Sequence, residues 1–239
     1  MNNINQKSRP SIKINEVLEA ISRDRTRTNL LKKGEQNLIA FFVQRIPSWI
    51  SSNMLTGFGF FGSFIVFASF ILAHFLNRNF LLLGVLGFMV NWFGDSLDGR
   101  LAYYRKIPRK LYGFALDITI DWISIIIIGC GYIVYSRGIW ELMGYGFVVM
   151  YGWEMIIVLM RYKITGEYSI DAGKFSPTEA RILISAIMVL EVLVPGSIGY
   201  SAAVAVAALF IINVVDTRKL TKVADSIDKK ENEKKNPPA

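Results

Sequence analysis

The chain has 239 residues, 52% of them hydrophobic, with a mean hydropathy of +0.36 and a formal charge of +8. Its apolar residues are gathered in long runs rather than broken up periodically, which excludes an ordinary soluble domain. The charge does not point to nucleic acid, because its distribution follows the apolar runs.

Residues 1–35 are polar and mixed in charge, and no secretory leader is expected there. The next stretch, EQNLIAFFVQRIPSWISSN, has an apolar cluster too short to span. It reads as an amphipathic helix lying along the membrane interface, with a juxtamembrane coil as the alternative. Six apolar runs follow: Met54–Leu76, Phe80–Phe93, Trp122–Tyr135, about Ile139–Met160, Ile182–Val194 and Tyr200–Val215. A bilayer core takes about 20 helical residues. The first and fourth runs suffice alone. The second, third and fifth suffice only if their helices continue through polar residues. The expectation is an all-α integral membrane protein: six transmembrane helices preceded by an amphipathic interfacial helix. A membrane domain over 36–216 would sit between the polar N-terminal region, 1–35, and a charged, solvated tail, 217–239.

Lys and Arg alternate sharply between the connecting segments. Nine lie before the first span, five between the second and third, four between the fourth and fifth, and seven after the sixth. The three remaining connections hold one, one and none. This is the positive-inside asymmetry, and it predicts that both termini are cytoplasmic. The basic segments face anionic membrane lipids, and no nucleic acid partner is expected.

Several residues have plain structural readings. Cys130, in an apolar run, is expected to be a buried, inert thiol. His74 reads as an interface residue, and Glu191 as a packed or hydrogen-bonded group. Gly57, Gly59, Gly62, Gly144, Gly146 and Gly152 read as helix-packing positions. Ser176, Pro177 and Glu179 have the spacing of a helix start, so Glu179 is expected to close it. Glu154 lies inside a span, where either a ligand or a neutral packed carboxyl would account for it.

The chemistry lies in GDSLDGRLAYYRKIPRKLYGFALDITIDW. If the second helix starts at Phe80, Asp95 and Asp98 lie roughly 22 and 27 Å along it. Counted back from Tyr135, Asp121 and Asp117 lie roughly 21 and 27 Å along the third. Two antiparallel helices thus carry carboxylates at matching depths, paired i,i+3 and i,i+4 on one face of each. Each ionised Asp near mid-span costs about 2.5–3.5 kcal/mol on insertion scales, and less toward the interface. Hard oxygen ligands without Cys or His suit Mg²⁺, Mn²⁺ or Ca²⁺. Metal and basic residues together suit a phosphate-bearing ligand and phosphoryl transfer.

These residues resemble the signature of the CDP-alcohol phosphotransferases, in which D-x-x-D-G-x-x-A-R is followed, after eight or nine residues, by G-x-x-x-D-x-x-x-D. Here Asp95, Asp98, Gly99, Ala102, Gly113, Asp117 and Asp121 match, and Tyr103 stands where the signature has arginine. The resemblance implies six transmembrane helices, a homodimer, two divalent ions (Mg²⁺ or Mn²⁺), and transfer from a CDP-linked donor with release of CMP. It implies Asp95, Asp98 and Asp117 as metal ligands, with Asp121 as the general base sharing a metal. Gly99, Ala102 and Gly113 would shape the nucleotide pocket, and Arg105, Arg109 or Lys110 would replace the missing arginine. SSNMLTGFG resembles the family's start of the first helix, giving Asn53 and Thr56 a nucleotide-side role or simply a helix N-terminus.

The function so implied is transfer of a phosphatidyl group from CDP-diacylglycerol to a small polar alcohol, at a cytoplasmic-facing site. A softer similarity, from Trp153-Glu154 through Thr165-Gly166 to Pro177-Thr178-Glu179, points instead to the choline/ethanolamine branch, with a CDP-aminoalcohol donor and a diacylglycerol acceptor. An ion- or proton-coupled carrier is the alternative of another class.

Overall fold

The computed structural model describes residues 32–166 and 177–235. Most of the 161–177 connection and the N-cap expected at Ser176 lie outside them, as do residues 1–31. Every regular element among the described residues is helical. These are α1 (Lys32–Val43), α2 (Ser52–Phe75), α3 (Leu81–Tyr104), α4 (Lys110–Tyr135), α5 (Glu141–Thr165), α6 (Pro177–Leu193) and α7 (Ser197–Lys235). Single 3₁₀ turns, Arg78–Phe80 and Gly138–Trp140, lead into α3 and α5. Five helices are long and apolar enough to cross a membrane: α2, α3, α4, α5 and α7. At 17 residues, α6 is shorter than the usual span of about 20.

Local sequence sets the helix ends. Ser51 caps α2, its hydroxyl accepting from the Met54 N–H at 3.2 Å. Gly166, at φ 73°, takes the left-handed conformation that closes α5. At 24 and 26 residues, α3 and α4 run beyond their apolar stretches and through the four aspartates, which makes up the length those stretches lacked.

The tightest packing joins α2 to α3. A Cβ on Gly62 would lie 2.5 Å from the Asn91 nitrogen and 2.6 Å from the Gly87 oxygen, so the two backbones touch. Buried Asn91 fastens the seam, its Nδ2 donating to the Gly59 carbonyl at 3.0 Å and to Ser63 Oγ at 3.1 Å. Gly144, Gly146 and Gly152 likewise face side chains of neighbouring helices. Gly57 does not: a Cβ there meets nothing within 4 Å, so its packing role is withdrawn.

Two apolar cores flank the aspartates. Val66, Phe70, Leu81, Phe88, Tyr132 and Met188 form one. In the other, Ile39, Ala40 and Val43 of α1 pack on Leu55, Leu97 and Leu101, while Leu38 and Phe41 on α1 face outward. The α1–α2 connection is braced by Arg105, whose guanidinium donates to the carbonyls of Ile50 at 2.5 Å, Pro47 at 2.8 Å and Ile46 at 3.4 Å. At the far end of the bundle, buried Glu191 accepts from Tyr135 Oη at 2.9 Å and from the Gly196 and Ile198 N–H groups at 3.0 and 2.8 Å, tying the α6–α7 turn to α4. His74 Nδ1 lies 3.5 Å from the Tyr135 carbonyl in the same region.

One further expectation changes. Cys130 is exposed, on the outer face of α4. An apolar run does not say whether a position faces another helix or lipid, and this one faces outward. The charged tail is also helical: α7 continues to Lys235, supported by Lys219–Asp216 and Lys229–Asp225 pairs at 3.2 and 2.7 Å.

Candidate metal and phosphate site

The four aspartates meet in one pocket, lined by Asp95 and Asp98 from α3, Asp117 and Asp121 from α4, and Thr56 from α2. Gly59 lets α2 approach α3 here, since a Cβ on it would lie 3.0 Å from the Asp95 nitrogen, and Thr56 on the same helix reaches Asp98. Carboxylate oxygens of Asp95, Asp117 and Asp121 all lie within 4.8 Å of one another. Asp98 is held slightly apart. It accepts a hydrogen bond from Thr56 Oγ1 at 2.6 Å and another from the Gly99 N–H.

Three carboxylates this close repel one another unless a cation lies between or beside them. The donor set consists of oxygens alone, with no thiolate or imidazole, and so fits a hard divalent ion such as Mg²⁺ or Mn²⁺ and does not favour zinc. Gly99 and Gly113 open toward free space, since a Cβ on either meets nothing within 4 Å. That leaves the ends of α3 and α4 accessible to a ligand.

Asn53 and Arg109 also come together, though with each other rather than in the pocket lining. Arg109 donates to Asn53 Oδ1 at 2.7 Å and stacks 4.1 Å from the centre of the Tyr112 ring. Asn53 Nδ2 in turn donates to the Tyr112 hydroxyl at 3.1 Å. Ala102 lies on α3, one turn beyond Asp98. Arg105 is engaged by the backbone carbonyls that follow α1, as described above.

Two residues that the sequence reading did not single out reach the cluster. Arg181, near the start of α6, pairs with Asp95, Nη2 to Oδ2 at 2.8 Å. Tyr151 on α5 lies near enough for its phenol to feel the charges of Asp121 and Arg181. Arg181 carried one usable signal: it is the only basic residue within α6, one turn from its start. Tyr151 carried none, being one aromatic among many.

Glu154 faces a different seam. Both of its oxygens are buried without a hydrogen-bond partner, while α7 meets α5 nearby through Asn213 Nδ2 and the Met150 carbonyl at 2.7 Å. Glu179 lies in the first turn of α6.

The family model for CDP-alcohol phosphatidyltransferase matches residues 49–215, more than two thirds of the chain. No curated protein matches it.

Proposed function

The chain belongs to the CDP-alcohol phosphatidyltransferase family, and from that premise we propose that it transfers a phosphatidyl group from CDP-diacylglycerol to a small polar alcohol, releasing CMP. The observation that carries this reading is the convergence of Asp95, Asp98, Asp117 and Asp121 on one pocket. Family membership supports phosphate-group transfer in phospholipid synthesis over ion carriage.

Asp95, Asp98, Asp117 and Asp121 would hold two Mg²⁺ or Mn²⁺ ions, which neutralise charge on the attacking and leaving oxygens of a phosphoryl transfer. Asp121 takes the proton of the acceptor hydroxyl as its oxygen bonds to the phosphorus that carries diacylglycerol. The bond from that phosphorus to the bridging oxygen breaks, and CMP leaves with the electron pair. Thr56 fixes the Asp98 carboxylate through the 2.6 Å hydrogen bond. Asn53, Arg109, Gly99, Ala102 and Gly113 line the approach of the nucleotide. Arg105 acts on it indirectly, by holding the chain ahead of α2.

In the membrane, α6 completes six spans with both termini and the pocket on the cytoplasmic side. The segment 36–216 forms the catalytic domain, and α1 lies along the interface. The working unit is a homodimer. A second reading, a CDP-aminoalcohol donor with diacylglycerol as acceptor, draws on Glu154, whose unpartnered carboxyl oxygens suit an ammonium group.

The test supplies purified protein with Mn²⁺ and CDP-diacylglycerol plus a panel of alcohols, and in parallel with a CDP-aminoalcohol plus diacylglycerol. CMP from the first arm supports the proposal, and CMP from the second arm alone supports the alternative. CMP from neither arm overturns both. Thr56→Val removes the hydroxyl donor at nearly constant volume. It is expected to lower kcat/KM about tenfold, in line with the loss of one hydrogen bond to a charged group. Wild-type turnover by Thr56→Val would show that Asp98 needs no such support.

A further inference from the structure

We propose that Arg181 is the resident counter-ion of the acidic pocket, opposing divalent cations for Asp95 while drawing in the diphosphate of the donor. This rests on the two-ion reading above and assigns a role to a residue outside the family signature.

Arg181 reaches Asp95 from a separate helix. Its Nη2 is 2.8 Å from Asp95 Oδ2, and the two side chains are 13% and 24% exposed. The guanidinium also feels the charge of Asp121 and lies near enough to the Tyr151 phenol to interact with it electrostatically. It therefore touches one of the three carboxylates whose oxygens lie within 4.8 Å of one another, Asp95, and feels the charge of a second, Asp121. At its start, α6 is further tied to α1 by Thr178 Oγ1 and Glu35 Oε1 at 3.2 Å. Deeper in the bundle, buried Met188 fills the space above Gly84 of α3. Arg181 is thus delivered by a docked helix and not by a free loop.

Charge decides what it does there. Four aspartates against one guanidinium leave the unloaded pocket with an excess of acidic groups, and an unpaired buried charge is costly. Arg181 offsets part of that. Two divalent ions would balance the four carboxylates alone, so with Arg181 still present the loaded pocket is left with one net positive charge. A cation entering beside Asp95 is repelled by the guanidinium, which weakens metal binding when no donor is present. The dianionic diphosphate of a nucleotide-linked donor meets a positive pocket, which strengthens donor binding. Arg181 thereby couples the two binding events.

The opposite signs make the proposal testable without turnover. With the full chain in detergent, Mn²⁺ binding alone is measured by electron paramagnetic resonance of the free ion. CDP-diacylglycerol binding is then measured on Mn²⁺-saturated protein. Arg181→Gln is expected to bind Mn²⁺ about tenfold more tightly and CDP-diacylglycerol about tenfold more weakly. Arg181→Lys keeps the charge and is expected to stay within about twofold of wild type for both; it serves as the test should the glutamine variant not fold. Unchanged or weaker Mn²⁺ binding by Arg181→Gln, or a tenfold change in either affinity for Arg181→Lys, overturns the role. If wild type itself binds no Mn²⁺, the two-ion reading falls and this inference with it. If wild type binds Mn²⁺ in an Asp117-dependent way and Arg181→Gln matches it, only the inference falls.

Discussion

Asp121→Asn is expected to cut CMP release by about 10²–10⁴-fold, the usual contribution of a positioned general base. The substitution keeps shape and hydrogen-bonding reach but removes the carboxylate that would accept the acceptor's proton. It also removes one negative charge from a group of three whose oxygens lie within 4.8 Å of one another. The unloaded variant should therefore be no less stable in a detergent melt than wild type, since relief of like-charge repulsion opposes any packing loss. Asp95→Asn separates the two effects, because it strips Arg181 of its partner at 2.8 Å and should lower the melt as well as the rate. An Asp121→Asn protein that turns over at the wild-type rate would remove Asp121 from the chemistry. One that is inactive and also misfolded would assign it to structure instead.

The parts of this fold legible in the sequence were those written locally. Long apolar runs fixed where helices lie, and the i,i+3 and i,i+4 aspartate pairs fixed one face of each of two helices. Together they foretold that Asp95, Asp98, Asp117 and Asp121 would meet, and the structure brings them to one pocket. What stayed hidden depends on contacts between segments distant in the chain. Arg181 and Asp95 lie on helices with two others between them in sequence, and no spacing rule ties them. On sequence alone the missing positive charge is expected in RKIPRK, the loop nearest the signature. Yet Arg105 turns to the carbonyls of Ile46, Pro47 and Ile50, while Arg109 turns to Asn53 and Tyr112. Hydropathy also failed to distinguish a position facing another helix from one facing outward, as at Cys130 and Gly57, because in a bilayer both environments select apolar or small residues.

Gly94→Ala is expected to be the most disruptive glycine-to-alanine change among the described residues. A Cβ on Gly94 would run into the Gly59 nitrogen and Cα and the Leu55 carbonyl oxygen, all of them backbone atoms of α2. A backbone cannot rotate aside as a flexible side chain can, so α2 and α3 must move apart. Separation would pull Asn91 Nδ2 from the Gly59 carbonyl, now at 3.0 Å, and Thr56 from Asp98, now at 2.6 Å. It would also shift Asp95, the next residue along the chain. Overpacking of this kind costs about 1–3 kcal/mol, and two hydrogen bonds are lost besides, so both the melting temperature and CMP release should fall. Gly57→Ala is the matched comparison on the opposing helix. A Cβ there meets nothing within 4 Å, and replacing a helical glycine by alanine gains about 0.5–1 kcal/mol. The two variants, identical in chemistry, should thus move the melt in opposite directions. If Gly94→Ala melted with Gly57→Ala at or above wild type, the backbone contact between α2 and α3 would not be what holds Thr56 against the aspartates.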